Sequence, residues 1–235
     1  MSNRNCCDRR EMLTLLSTLG AMGAISFLLG GCGSVTLRSG MRKITGEVLV
    51  NGRRVTSKQL TTAEGLKVPN DASLSTGSAG AALFVVGKDA FLLRKNSRVV
   101  LKPAKTKPNE ISGFQLNSGA MLSVFARGKR MLRTPTAVIA IRGTGAYLES
   151  DSERTYICTC YGTSHLQLKE APDITATVTT QHHEAPRFIY AAEKQIVPAP
   201  MFNHADQELV MLEELVGRVP PFVKPDGSVS DEYEY

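Results

Sequence analysis

The chain has 235 residues but only five cysteines, and just two of them, Cys158 and Cys160, lie beyond residue 32. It has no paired Cys-x-x-Cys motifs, the spacing that makes a metal site legible from sequence alone. There is also no glycine-rich phosphate loop after a strand, no His-Glu-x-x-His, and no pair of carboxylates in an apolar setting. No nucleophile, base and orienting acid stand at a recognisable spacing. These absences argue against nucleotide chemistry, zincin-type hydrolysis and glycoside hydrolysis, and the chain is read as a non-enzyme. Aromatic residues are scarce, at 6%. They do not interleave with the basic segment from Lys88 to Lys107 as a single-stranded nucleic-acid groove would need. The formal net charge of +6 is spread along the chain. A nucleic-acid partner is therefore excluded, and the basic segment is read as a solvated face or a patch that meets anionic lipid or polysaccharide.

Charge is missing altogether between Met12 and Leu37, directly after Arg9 and Arg10. A basic stretch before an apolar one is the anatomy of an export signal. Within it, Leu29-Gly30-Gly31-Cys32 resembles the lipobox of bacterial lipoproteins, which implies a signal peptide over residues 1–31 and lipid attachment at Cys32. The pair Arg9-Arg10, with Met12 and Leu13 after it, resembles a twin-arginine signal. The alternatives are an uncleaved anchor, since roughly 20 apolar residues span a bilayer, and simple secretion. All three leave the bulk of the chain outside the cytoplasm, because Arg9 and Arg10 stay inside. The expected location is the periplasm, lipid-anchored at the outer membrane, with an inner-membrane anchor as the alternative.

Residues 32–43 are read as a linker. From Gly46 to Leu168, short runs rich in Val, Ile, Leu, Phe and Thr are broken by Gly, Asn, Asp and Pro. "GEVLVNGRRV" reads as two strands around an Asn-Gly turn, and "AALFVVGKDAFLL" repeats the plan around Gly-Lys-Asp. Short strands at such spacing predict an all-β fold, a sandwich or a solenoid-like array. "KPAKTKPNE", from Lys102, reads as an exposed loop. Residues 171–200 add strands and a His-containing loop. In "NHADQELVMLEELVGR", Leu209, Leu212, Leu215 and Val216 stand at helical spacing, with Asn203 or Asp206 as N-cap and Gly217 as stop. An acidic tail completes residues 201–235.

"RTPTAVIAIRGTGAYL" (Arg133 to Leu148) is similar to the most recognisable segment of the FecR domain family: a Thr-Pro entry, an apolar strand, then Arg142, Gly143 and Thr144. "STGSAGAALFVVGKDAFLLRKNSRVVL" upstream and "TYICTCYGTSHLQL" downstream resemble that family's other strands, so the resemblance spans about residues 44–170. It implies an all-β, envelope-side binding, sensory or scaffold module. Family sensors join such a module to a cytoplasmic control segment, and the eleven residues before the apolar run are too few for one. The expected partner is an envelope protein, a polysaccharide or a small ligand. From the residues themselves, Pro135 sets the strand entry, Gly143 and Gly145 relieve a bend, and Arg142 is placed to donate to carbonyls or a carboxylate across it.

Cys158 and Cys160 fall in a predicted strand, where alternation puts Tyr156, Cys158 and Cys160 on one face and Ile157, Thr159 and Tyr161 on the other. Their Cα atoms would lie about 7 Å apart, the upper limit for a disulfide, which would need a bulge or bend. A hairpin across "KEAPD" would bring His182 or His183 opposite the thiols, and a bulge would be needed to turn both inward. The predicted site is Cys158 and Cys160 with His182 and His183, suited to Zn or Cu; Glu184, His165 and His204 are reserve ligands or supporting groups. A disulfide, redox-active or strained, and two packed thiols remain open alongside. The alternative function is thus a periplasmic metal-binding or redox protein.

Overall fold

The computed structural model describes residues 39–61, 66–224, 226, 228 and 229. The predicted signal segment, with Arg9, Arg10 and Cys32, lies outside the described residues, as does most of the acidic tail. No helix among the described residues is long and apolar enough to cross a membrane.

The all-β expectation holds. In chain order the strands are β1 (Gly40–Thr45), β2 (Val48–Val50), β3 (Arg53–Val55), β4 (Ser73–Thr76), β5 (Ala81–Val86), β6 (Asp89–Leu93) and β7 (Arg98–Pro103). They continue with β8 (Ile111–Val124), β9 (Lys129–Arg133), β10 (Ala137–Ser150), β11 (Arg154–Leu168), β12 (Thr175–Thr180), β13 (Arg187–Tyr190) and β14 (Gln195–Pro198). One helix, α1 (Asp206–Glu214), follows. All the strands belong to one open sheet, in the order β14-β13-β11-β10-β9-β8-β7-β4-β2-β3, with β6, β5 and β1 branching from β8 and β12 from β11.

The branching comes from three long strands that change partner part-way. β8 pairs β7 through its first half and β6 through Met121 to Val124. β10 pairs β9 up to Arg142 and β8 from Gly145. β11 pairs β13 through Arg154 to Ile157 and β12 from Gly162. Glycines sit at these changes because the chain bends there: Gly119, Gly143 and Gly162 all have positive φ, a conformation that a Cβ penalises.

Folding the sheet over itself encloses the larger core. Phe84 stacks on Phe91 at 5.0 Å between centroids, Phe91 meets Phe114 and Phe125 edge-on, and Leu74, Leu101, Leu132 and Ile139 pack around them. Arg130 enters this region against Asp89, with Nε 3.0 Å from Oδ2; Asp89 also accepts the Ala126 N–H at 2.8 Å. A second, smaller core lies under α1, where Leu209, Leu212 and Val216 cover Leu122, Val124, Tyr147, Cys158 and Cys160.

Several local expectations need correction. β1 begins at Gly40, inside the segment read as linker, and pairs β5. The Asn51-Gly52 hairpin is as expected, with φ of +51° and +74°. In the next hairpin Asp89 pairs Val86 and is the first residue of β6, not part of the turn. Lys102 and Pro103 extend β7 rather than belonging to the loop. The N-cap of α1 is Ala205, whose N–H is bonded by Glu208 at 3.2 Å, rather than Asn203 or Asp206. The carboxylate of Asp206 is engaged elsewhere.

Candidate metal centre

β11 supplies the two sulfurs. Gly145 pairs Tyr161 and Ala146 pairs Thr159, so Cys160 is the extra residue of a bulge between β10 and β11. The bulge breaks the alternation expected for this strand. Ile157 packs in the larger core, whereas Tyr161 joins Tyr156, Cys158 and Cys160 in the smaller one. A Cβ on Gly145 would lie 2.4 Å from the Tyr161 ring, so Gly145 admits the ring there. The phenol of Tyr161 donates to Glu213 of α1. Both cysteines are fully buried and unbridged.

The predicted hairpin across residues 169–173 forms, with Gly162 opposite Thr180. β12 then stops, and Gln181, His182 and His183 form a bend in which His183 takes φ +59° and gives its N–H to the Cys160 carbonyl at 2.9 Å. The bend buries both imidazoles, but only His183 reaches the thiols. Its Nδ1 lies 3.2 Å from Cys158 Sγ. The fourth member is His204, one of the reserve ligands, just before α1: its Nε2 is 3.5 Å from Cys160 Sγ and 3.2 Å from His183 Nδ1. These four ligand atoms all lie within 4.8 Å of one another, and all four residues are buried. His182 is displaced from the predicted set. Its Nε2 donates to both oxygens of Asp206 at 2.9 Å, and its ring stacks on Phe222. His165 is exposed on β11 and pairs with Thr177, and Glu184 accepts the Gln181 N–H.

The outer contacts decide which nitrogen carries each proton. His183 Nε2 is 2.9 Å from Asp206 Oδ1, an acceptor, so Nε2 holds a hydrogen. His204 Nδ1 is 2.8 Å from the Phe202 carbonyl, also an acceptor, so Nδ1 holds one too. In the neutral rings this leaves His183 Nδ1 and His204 Nε2 as lone pairs facing each other at 3.2 Å beside two sulfurs. Two lone pairs and two sulfurs converging in this way suit a cation. Imidazoles that bind metal are oriented in this way by a carboxylate and a backbone carbonyl. Zn–S bonds of about 2.3 Å and Zn–N bonds of about 2.0–2.1 Å at tetrahedral angles require ligand atoms about 3.3–3.8 Å apart. The separations of 3.2, 3.5 and 3.2 Å fit with shifts of a few tenths of an ångström.

The ionisation of the cluster follows from its burial and its mutual contacts. Burial would raise the Cys158 thiol, but hydrogen bonds from Cys160, His183 and His204 outweigh it and hold it well below the usual range. Burial would lower His183, but Cys158 and Asp206 outweigh that and raise it. Cys160 is held well above the usual range by burial and by Cys158 beside it.

The motif residues lie elsewhere. Gly143 has φ +59° at the register shift of β10, as its predicted role in the bend requires. Thr144 is buried, and its hydroxyl lies 3.4 Å from the Thr163 carbonyl. Arg142 is exposed, and its side chain makes no hydrogen bond or ion pair with a described residue, so the expected donation across the bend is not seen among the described residues.

No family model matches the chain, and no curated protein matches it. Among solved structures it is similar to two crystal structures of a "putative anti-sigma factor" from Parabacteroides distasonis ATCC 8503, each with a TM-score of 0.45 and 10% identity. The overlap covers 60% of this chain and spans 64% of the length of that one.

Proposed function

We propose that the protein is an exported, FecR-like β module, tethered to the envelope through Cys32, in which a structural Zn2+ ion fastens the C-terminal helix to the sheet. The single observation that carries the metal reading is the convergence of two thiols with two imidazole lone pairs, His183 Nδ1 and His204 Nε2, whose opposite nitrogens are committed to Asp206 and Phe202. The envelope location and binding role draw on the export-type N-terminus and on the resemblance of Arg133 to Leu148.

All four ligands come from protein and none is more than 8% exposed, so the site has no open position for water or substrate. A closed two-sulfur, two-nitrogen set is the pattern of structural zinc rather than catalytic zinc. Its ligands join β11, the bend after β12 and the segment before α1. The ion would therefore add a further link between stretches of chain that packing and the hydrogen bonds of Asp206, Tyr161 and the His183 N–H already hold together.

The test is metal loading of the full-length protein by dialysis against Zn2+, with Cu(I) under reducing conditions as comparison. One tightly held zinc per chain is expected, lost in Cys158→Ser, Cys160→Ser and His204→Ala and retained in His165→Ala. A wild-type chain that holds no zinc, or zinc equally retained by the cysteine variants, overturns the reading.

A further inference from the structure

Ser39 leads into β1, and its hydroxyl accepts the Gly87 N–H of the β5–β6 turn at 2.8 Å. Three other stretches meet at this end of the fold. The β7–β8 loop packs so closely on Gly87 that a Cβ there would lie 3.0 Å from the Asn109 carbonyl oxygen. The β8–β9 connection is held by the Ala126 N–H, which donates to Asp89 at 2.8 Å. The bend of β10 lies beside that connection: a Cβ on Gly143 would be 3.7 Å from Arg127 Cα, and Arg142 pairs Lys129.

This end is basic. Lys88, Lys105, Lys107, Arg127, Lys129 and Arg142 are all exposed on it. Lys107 pairs with Glu110 at 3.5 Å, and none of the other five is in an ion pair with a described carboxylate. Arg142 and Lys129 stand directly opposite each other, a placing of like charges that a sheet does not favour. Of the carboxylates that meet these stretches, Asp89 and Glu213 are buried against Arg130 and Arg218, and Glu110 is taken by Lys107. Asp71 is exposed next to Asn70, whose side chain bonds the Glu110 carbonyl at 3.0 Å. The opposite end, reached as β10 runs from Gly145 to Ser150, carries Asp151, Glu153 and Glu193 around Arg154. Charge is therefore polarised along these strands.

We infer that this end is a membrane-facing surface, on which Lys88, Lys105, Arg127 and Lys129 meet the anionic phospholipid headgroups of the bilayer that holds the Cys32 lipid. The inference rests on the tether proposed above and is independent of the metal. Only seven residues of chain lead from Cys32 to Ser39, at most about 25 Å when fully extended, so the end that carries Ser39 is the one kept within reach of the bilayer. A short tether turns a weak surface attraction into an intramolecular one at high effective concentration. Each Lys or Arg near an anionic surface adds roughly fivefold to the attraction, acting within a Debye length of about 10 Å at 0.1 M salt. The turn, loop and bend contain no aromatic side chain, so the contact stops at the headgroups. The acidic β10–β11 turn is directed away from the membrane, into the surrounding space.

The test uses the lipidated protein isolated from membranes and reconstituted in vesicles of phosphatidylcholine, with or without added phosphatidylglycerol. Brief acetylation of lysines, read by peptide mass spectrometry, reports which face is covered. On the anionic vesicles acetylation of Lys88, Lys105 and Lys129 should slow by about threefold or more, while Lys95, exposed at the opposite end, keeps its rate. The protection should vanish at about 1 M salt, where the Debye length falls to about 3 Å. Lys88→Glu combined with Arg127→Glu, both at exposed positions, should abolish the protection of Lys105 and Lys129 and leave the protein on the vesicles through its lipid. Equal rates on both kinds of vesicle, or equal protection of Lys95, overturns the inference. Protection by a soluble acidic polysaccharide on neutral vesicles, with none from phosphatidylglycerol, gives the face to a polysaccharide and also overturns it. The intact mass of the isolated protein separates the two readings. A chain without lipid on Cys32 sinks the tether and this inference with it, whereas a lipidated chain with equal rates sinks this inference alone.

Discussion

Asp206→Asn separates support of a metal ligand from ordinary packing. The side chain hardly changes shape, but one of its two acceptor oxygens becomes a donor. Asp206 takes His183 Nε2 on Oδ1 at 2.9 Å and His182 Nε2 on both oxygens at 2.9 Å. An amide oxygen can serve only one of these rings well, so His183 is released from its fixed tautomer or His182 faces an N–H. Loss of such an outer carboxylate lowers metal affinity about 10–100-fold, which is about 1.4–2.7 kcal/mol. With free zinc buffered well above Kd, urea unfolding should show the zinc-dependent stabilisation reduced by about that amount, because ligand stabilisation follows RT ln(1 + [L]/Kd). Asp206 is also the first residue of α1, where losing a negative charge costs about 0.3–1 kcal/mol with no metal at all. Measuring zinc-free and zinc-loaded proteins side by side removes that part. Competition with a zinc chelator gives the affinity directly. An affinity within threefold of wild type, with all the lost stability already present in the zinc-free form, would refute the reasoning.

Zinc affinity should rise with pH. Cys160, pushed up by burial and by Cys158, must lose its proton to bind, so each proton released adds about one log unit of affinity per pH unit below its pKa; calorimetry in buffers of different ionisation enthalpy counts those protons. Asp89→Ala strands Arg130 in a buried setting, and chemical denaturation should show a loss of about 3–5 kcal/mol. Gly145→Ala places a Cβ 2.4 Å from the Tyr161 ring and should cost about 1–3 kcal/mol as overpacking, with the Tyr161 ring environment altered by NMR; a neutral effect would mean that β11 can shift to accommodate it.

What could be read from the residues divides along physical lines. The Asn51-Gly52 hairpin, the all-β class and the Leu209–Leu212 stripe were legible because they depend on neighbours in sequence. The thiol pair and the hairpin that returns to it were legible for the same reason. The bulge at Cys160 was not, because a bulge depends on the register with β10, and it is what turns Tyr161 toward the thiols. His183 was named, but the choice between it and His182 depends on the left-handed backbone of the bend. His204 stands 44 residues beyond Cys160, with no spacing to announce it, so it was only one candidate among several. Asp206 resembled a helix cap, and only the packed structure shows its carboxylate on two imidazoles. The second half of the site was hidden because it is tertiary, brought in by α1.

The measurement that bears most directly on the central claim is X-ray absorption at the zinc edge of the loaded protein. Two sulfurs at about 2.3 Å and two imidazole nitrogens at about 2.0–2.1 Å are predicted, with the sulfur shell reduced in Cys158→Ser. A first shell of nitrogen and oxygen alone would place the ion elsewhere and contradict the assignment of Cys158, Cys160, His183 and His204.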